Sequence, residues 1–418
     1  MGEAARSGPA LLRDRRFGPY VVGQWLTNTG NWFHNVAAGI VVFDLTGSNT
    51  MVGLVGGLQF VFTLLLAPVA GQLSDRYDRR RLLLGGQATG LAGSALLAVL
   101  VLTVGLDALG GVWPVFVATA IIGVGYAISI PTIQAFVPSL VPRIDLPQAI
   151  ALNSVTFNLA RAIGPGLAGL LVAWVGAGPS FGVNALSFAA FALVLVWLGR
   201  SAVPVARPAP PGDTTDANRS AWAAIALARS DRLVATVLLA TVTVGFATDP
   251  VTTLAPALAA RLSQPAWVVG AIGSAFGGGA TLSAFWVARL RHAVGPRTQA
   301  SVGLGALATG MAAAALASTV PVLLGAMAVA GAGFIQAVSQ LNTTLQLHVE
   351  DVVRGRVMAL WSVAFLGVRP IAAALDGLIA DSVGVGAALA LAALLATVGA
   401  VGLWLTRPSP SAVQPEQP

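Results

Sequence analysis

The sequence predicts an all-α integral membrane protein of twelve spans, built as two six-helix bundles related by a pseudo-twofold internal repeat. Three observations carry that prediction. Only 9% of the 418 residues are charged and 56% are hydrophobic, whereas a soluble domain carries about 25% charged residues. Apolar runs of roughly twenty residues recur along the chain, the length that crosses a ~30 Å hydrocarbon core. The second half also repeats the first. At a shift of 208, Gly123, Gly125 and Tyr126 fall on Gly331, Gly333 and Phe334, and Ser154, Val155 and Phe157 on Ser362, Val363 and Phe365. In the same register Arg161, Ile163, Leu167 and Gly169 fall on Arg369, Ile371, Leu375 and Gly377. A register held without gaps through arginines and aromatics marks two parallel repeats.

The first-half spans read as 18–43, 50–71, 82–104, 112–137, 149–175 and 178–199, and the second-half spans as 232–260, 265–288, 298–318, 320–345, 357–381 and 384–406. This divides the chain into an N-terminal bundle (1–199), a linker (200–231), a C-terminal bundle (232–406) and a tail (407–418). The linker is rich in proline and charge and is expected to be solvated, and the polar tail is expected to be disordered. All 23 basic residues are arginine, and all but Arg161, Arg369 and Arg261 fall at one side of this topology. By the positive-inside rule that side is cytoplasmic. No cleavable signal pattern precedes the first span, where Arg6, Arg13, Arg15 and Arg16 cluster, so both termini are expected in the cytoplasm. The arginine, alanine, glycine and valine bias suits a GC-rich bacterial source and its plasma membrane.

Topology accounts for the net charge of +7 without a nucleic-acid partner. The lipid bilayer and a small-molecule substrate are the expected partners, with the chain acting as a monomer. The absence of cysteine excludes disulfides and thiol chemistry. There is no phosphate-binding G-x-x-x-x-G-K-[ST] loop, and no lysine to complete one. His292 and His348 fall in predicted loops without metal-ligand spacing, so neither a metal nor a cofactor is expected.

The stretch 71–81, G-Q-L-S-D-R-Y-D-R-R-R, separates the second and third spans. One mid-membrane charge costs roughly 2.5–3.5 kcal/mol, so this stretch must form a tight loop at the cytoplasmic surface. On charge alone it is a solvated turn that orients insertion. Its order resembles the signature between helices 2 and 3 of the major facilitator superfamily. Gly71, Leu73, Ser74, Asp75, Arg76, Arg79 and Arg80 fit that pattern, and Asp78 stands where most members carry glycine. The resemblance implies a conformational latch of Gly71, Asp75, Arg76, Asp78, Arg79 and Arg80 that holds the cytoplasmic side closed, with Gly71 permitting close helix approach. The equivalent loop at 289–297 keeps the arginines without acidic residues, which makes the latch one-sided.

The D-R-x-D-R-R form, Leu45-Thr46-Gly47-Ser48, Arg161-Ala162-Ile163-Gly164-Pro165 and Arg354-Gly355-Arg356-Val357 are together similar to the drug–proton antiporter branch that includes macrolide-efflux and enterobactin-exporter-type proteins. That resemblance covers the whole chain. It implies a secondary transporter exporting an amphiphilic drug or siderophore-like metabolite by alternating access, driven by the proton gradient. A proton-coupled uptake symporter shares the fold and is the main alternative. A membrane-embedded enzyme would need a polar catalytic cluster; none is found, and no catalytic residue is assigned.

The fifth span carries Gly164, Pro165 and Gly169, a kink that resembles the glycine-proline motif of antiporters but equally suits an ordinary packing helix. Four ionisable residues fall inside spans: Arg161, Asp249, Arg369 and Asp376. Such charges must face water or one another, and they are the candidates for proton coupling; helix-end carboxylates and structural ion pairs are the plain readings. Arg369 and Asp376 lie two helical turns apart, about 10 Å along one face. Asn31, Trp32, His34, Gln59, Phe157, Gln336, Gln340, Trp361 and Phe365 are the candidate lining of a largely uncharged, aromatic substrate cavity. Core packing explains aromatics of this kind equally well, and a buried histidine more often makes a structural hydrogen bond than a proton relay.

Overall fold

The computed structural model of the chain describes residues 6–105, 108, 110–200, 229–290 and 294–406. Most of the expected linker, the tail and His292 lie outside the described residues. A short α1 (Gly8–Leu12) precedes α2 (Phe17–Thr46), α3 (Asn49–Arg76), α4 (Arg79–Thr103), α5 (Trp113–Phe136), α6 (Leu146–Val175) and α7 (Ala177–Arg200). The second half comprises α8 (Arg232–Thr248), α9 (Pro250–Thr253), α10 (Ala255–Arg261), α11 (Trp267–Leu290), α12 (Pro296–Leu316), α13 (Val320–His348), α14 (Asp351–Leu366), α15 (Arg369–Ser382) and α16 (Val385–Leu405). No strand occurs among the described residues. Ten segments there are long and apolar enough to cross a membrane. The 30-residue α2 and the 24-residue α11 pack among them.

Local chemistry sets the helix ends. Gly47, at φ 61°, closes α2 in the left-handed conformation that glycine adopts without strain. Asp78 accepts a hydrogen bond from the Arg81 amide at 2.9 Å and thereby caps α4. The aspartate in the loop signature is therefore a helix N-cap. Asp231 caps α8 in the same way, through the amides of Leu233 and Val234. Two spans expected to be single helices are broken. The segment expected at 232–260 divides at Asp249-Pro250 and again before Ala255-Pro256, and that at 357–381 divides at Gly367-Val368 ahead of Arg369-Pro370. Proline lacks the amide needed to continue the ladder and disfavours a helical residue before it. The first and third of these breaks place an ionisable side chain, Asp249 and Arg369, at a helix end.

Helices α2–α7 pack against one another, as do α8–α16, and the two groups meet mainly along α6 with α11 and α3 with α15. Small residues bring these backbones together: a Cβ at Gly169 would stand 2.8 Å from the Gly270 Cα, and one at Gly377 only 2.5 Å from the Asn49 carbonyl oxygen. These contacts lie toward the end remote from the arginine-rich loops. Among the described residues the glycine contacts between the bundles end at Gly277 against Arg161 and at Gly57 against Pro370, and beyond them, toward the arginine-rich end, the bundles part. A cavity therefore opens at that end and is closed at the other.

This packing makes a side chain at Gly377 incompatible with closure. In a chain with a single cysteine introduced at Ala373, which is 1% exposed, Gly377→Val is expected to raise labelling by a water-soluble maleimide several-fold. Equal labelling rates would mean that the seam accommodates the valine. The chain's lack of native cysteine removes background.

Candidate functional site

The kink in α6 forms one wall of the closed contact. Pro165 lies inside the helix, and the Gly166 amide donates instead across the interface to Ser274 Oγ of α11 at 2.8 Å. Gly164 lies against the Trp32 indole of α2. All three residues of the expected kink thus sit at contacts between helices, with Gly169 on Gly270.

One turn before the kink, Arg161 lies half-buried at the apex of the cavity. Its guanidinium stands 4.8 Å from the ring centre of Phe334 in α13, in the opposite bundle, and 5.7 Å from that of Phe157. The repeat-matched Arg369 makes the reciprocal crossing: it begins α15 and stands 4.3 Å over Phe60 of α3. Phe334 heads a run of aromatic contacts, with Phe276 at 5.4 Å, Phe365 at 6.2 Å, and Phe365 stacked on Trp361 at 5.7 Å. Gln59 donates to Asn31 Oδ1 at 3.1 Å on the facing bundle. Gln336 is half-buried on α13. Gln340 is buried, and its Oε1 and the Trp361 Nε1 have no hydrogen-bond partner among the described residues. The wall expected to be largely uncharged therefore carries two guanidiniums.

His34 stands apart from this wall. It is fully buried inside the N-terminal bundle, with Nε2 3.0 Å from Thr119 Oγ1 and its ring 5.5 Å from that of Phe181. These contacts turn it toward α5 and α7, whereas Asn31, one turn earlier, reaches Gln59 of α3.

The two acids lie above the apex, in the closed half. Asp249 Oδ2 accepts from Thr253 Oγ1 at 2.6 Å and is within electrostatic range of Arg369. Asp376 is wholly buried, and neither of its carboxyl oxygens has a partner among the described residues. Asp249 lies within its electrostatic range. Among the described residues none of the four intramembrane charges forms a direct ion pair; ion pairs found elsewhere include Arg6 with Asp14 and Asp145, and His348 with Asp231. His348, expected in a loop, is the last residue of α13. Partial burial pushes the Asp231 carboxyl up, but its bonds from His348 and from the Val234 amide outweigh this and hold it below the usual carboxylate range.

Among the described side chains, the contacts of the expected latch lie within its own bundle here. Arg79 Nη1 donates to the Ala135 carbonyl at 3.0 Å, Arg80 lies against Gly199, Asp78 caps α4, and Arg76 is exposed. The Asp75 side chain lies outside the described residues. Gly71 has open space where a Cβ would stand, so close helix approach does not account for it in this conformation.

At the opposite end the structure contains a latch that the sequence reading missed. Asp381, at the end of α15, accepts five hydrogen bonds from the start of α3: from Ser48 Oγ at 2.7 Å, the Asn49 amide at 2.7 Å and Nδ2 at 2.9 Å, and the Thr50 amide at 2.9 Å and Oγ1 at 2.7 Å. A carboxylate suits the free amides and positive pole of a helix N-terminus. Bonds to a charged acceptor contribute about 1.5–3 kcal/mol each when buried, less at this exposed position. The available signal was the run Thr46-Gly47-Ser48-Asn49-Thr50, which offers more donors than its own helix start can use.

A family profile described as "Transmembrane secretion effector" matches residues 7–415. The enterobactin exporter EntS of Escherichia coli is 30% identical over 357 residues, covering 82% of this chain and 80% of the relative. The EntS of Citrobacter koseri gives the same identity and coverage over 356 residues. A staphyloferrin A transporter of Staphylococcus aureus is 30% identical over 169 residues, 40% of this chain and 41% of that protein. Among solved structures, a bacterial homologue of the iron transporter ferroportin in an inward-facing state superposes with a TM-score of 0.76 at 17% identity, covering 94% of this chain and 99% of that one. The nucleoside transporter NupG gives 0.76 at 13% identity, with 93% and 99% covered. These two likenesses concern the fold alone.

Removing the Asp381 carboxylate is expected to loosen the closed end. Spin labels on cysteines replacing Trp174 and Val383, exposed residues of opposite bundles, should report a longer-distance population in Asp381→Ala that the parent lacks. An unchanged distance distribution would show that the glycine seams alone hold this end shut.

Proposed function

The chain belongs to the transmembrane secretion effector family of major facilitator transporters, and from that premise we propose that it exports a siderophore-like amphiphile in exchange for protons. It is a multi-pass membrane transporter and not an enzyme. The relatives named as an enterobactin exporter and a staphyloferrin A transporter support a siderophore-like substrate. The positive-inside rule supports the arginine-rich end as cytoplasmic, with both termini there and a bacterial plasma membrane as the setting. The conformation described is then inward-facing.

One observation carries the coupling: a fully buried carboxyl without partners, Asp376, inside the seam that closes the outer end. Taking an unpaired carboxylate out of water costs several kcal/mol, whereas a neutral acid is tolerated. The outer seam therefore closes on the protonated acid. Asp376 takes its proton from outside while that end is open; Asp249, beside both Asp376 and Arg369, passes it toward the inner cavity once the bundles have rocked. Each proton entering contributes about 2.3 kcal/mol per 100 mV. Substrate enters from the cytoplasm onto the aromatic wall and leaves when the outer seam opens. In that second state the loop signature of Gly71, Asp75, Arg76 and its neighbours closes the inner end. One chain holds both bundles and the whole cavity, so a monomer suffices, and no cofactor beyond the proton gradient is needed.

Reconstitution in liposomes tests this. An imposed proton gradient should drive substrate against the direction of proton flow, and Asp376→Asn should abolish that dependence while leaving gradient-free substrate exchange measurable. Asp249→Asn should slow proton-driven transport at least tenfold. Unaltered coupling in both variants would remove these carboxyls from the mechanism, and energised accumulation in cells would replace export by uptake.

A further inference from the structure

The two cavity arginines have an unsatisfied chemistry. No side-chain or backbone acceptor among the described residues takes a hydrogen bond from the Arg161 or Arg369 guanidinium, and neither has a carboxylate within ion-pair distance. The charged group within electrostatic range of Arg161 is Arg369, another cation. Asp249 offsets part of the Arg369 charge from above, and Asp376 lies inside the closed seam. The guanidinium carbons stand over aromatic ring faces, at 4.8 Å and 4.3 Å from the ring centres. A ring face satisfies charge partially and leaves the N–H edges free. Those edges form planar forks of the kind that bind carboxylates, phenolates and sulfonates in bidentate fashion.

We infer that the substrate is an organic anion, its negative group held between Arg161 and Arg369 and its ring system laid on the partly exposed Phe365 and Trp361. The inference rests on the export reading above and specifies its substrate class. It also excludes amphiphilic cations, because placing a like charge beside two guanidiniums costs several kcal/mol. The arginines come from opposite bundles, each reaching onto the other's ring, so their mutual repulsion acts across the interface that must rearrange. An anion between them removes that repulsion and ties occupancy to the movement of the bundles. The carboxyl pair above then exchanges protons in a site whose charge depends on whether the anion is present.

The test uses the full chain in lipid nanodiscs and three probes of matched size: 2-naphthoate, its methyl ester, and 2-naphthyltrimethylammonium. Binding is read by tryptophan quenching, with Trp361 in the proposed site. The anion is expected to bind at least tenfold more tightly than the ester, and the cation is expected not to compete. Arg161→Gln and Arg369→Gln should each weaken naphthoate about tenfold and leave ester affinity unchanged, with Arg161→Lys recovering part of the loss. Equal or tighter binding of the ester or cation, no binding of naphthoate, or variants that change all three probes alike would overturn the inference. The charge ranking in the unaltered chain decides the matter even where a variant fails to fold. Anion selectivity without proton-driven export would remove the export reading and leave this one, while proton-driven export of the cationic probe would do the reverse.

Discussion

The structure depends on the high cost of an unpaired charge in hydrocarbon. In a chain that is 56% hydrophobic, the charges of the described residues lie at loops and helix ends, or are paired there as Asp145 is with Arg6, with four exceptions. The four exceptions gather at mid-depth, around the interface of two bundles rather than within either. That location lets each be hydrated or shielded as the interface opens and closes. A charge fixed inside one bundle would be a permanent cost of roughly 2.5–3.5 kcal/mol or more; a charge at a moving interface makes the cost conditional on conformation. Conditional cost is what couples an ion to a movement.

The same interface explains where the regular helices fail. The breaks at Asp249-Pro250 and at Arg369-Pro370 free backbone groups at membrane depth, which is tolerated where they lie inside protein or beside a cavity. Across from Arg369–Ser382, α3 remains continuous and presents glycines, as α6 does to α11. Continuous helices with small residues make close, separable seams; the broken helices carry Asp249, Arg369 and Asp376, while Arg161 lies on the continuous α6. Dispersion between closely fitted backbones holds such a seam over a short range and loses most of its strength at small separations. Seams of that kind open fully or stay shut.

How much of this was legible in the sequence varied with the range of the interaction. Spans followed from apolar runs, because hydropathy is local, and the repeat matched Arg161 with Arg369 before any geometry was known. The role of Asp78 was hidden by a resemblance that marked it as a departure from glycine, although an aspartate three residues before a helix turn is itself a cap signal. Asp381 was illegible because its partners are more than 330 residues away. Nothing local distinguishes it from any acid at a helix end. His34 shared a polar stretch with Asn31 and Trp32, and only the rotation of α2 within its bundle sends it to Thr119. The helix breaks were half legible: the prolines were visible, but bending and breaking differ only in how neighbours satisfy the freed groups.

The 14-residue α15 joins these parts mechanically. It starts at Arg369 after the Gly367-Val368 break and ends just before Gly384, whose φ of 118° starts the next turn. Arg369 touches the cavity, Asp376 lies in the seam about 10 Å further along, and Asp381 latches the far end at about 18 Å. A short helix with a break at each end moves as a rigid lever. On the proposed mechanism, a displacement at Arg369 on substrate release shifts Asp376 within its seam and strains the five bonds to Asp381. Conversely, closure of the Asp381 latch fixes the position of Arg369 over Phe60. In that proposal substrate occupancy, carboxyl burial and the outer latch are three readings of the position of one helix, and their coupling needs no longer chain of contacts than this segment supplies.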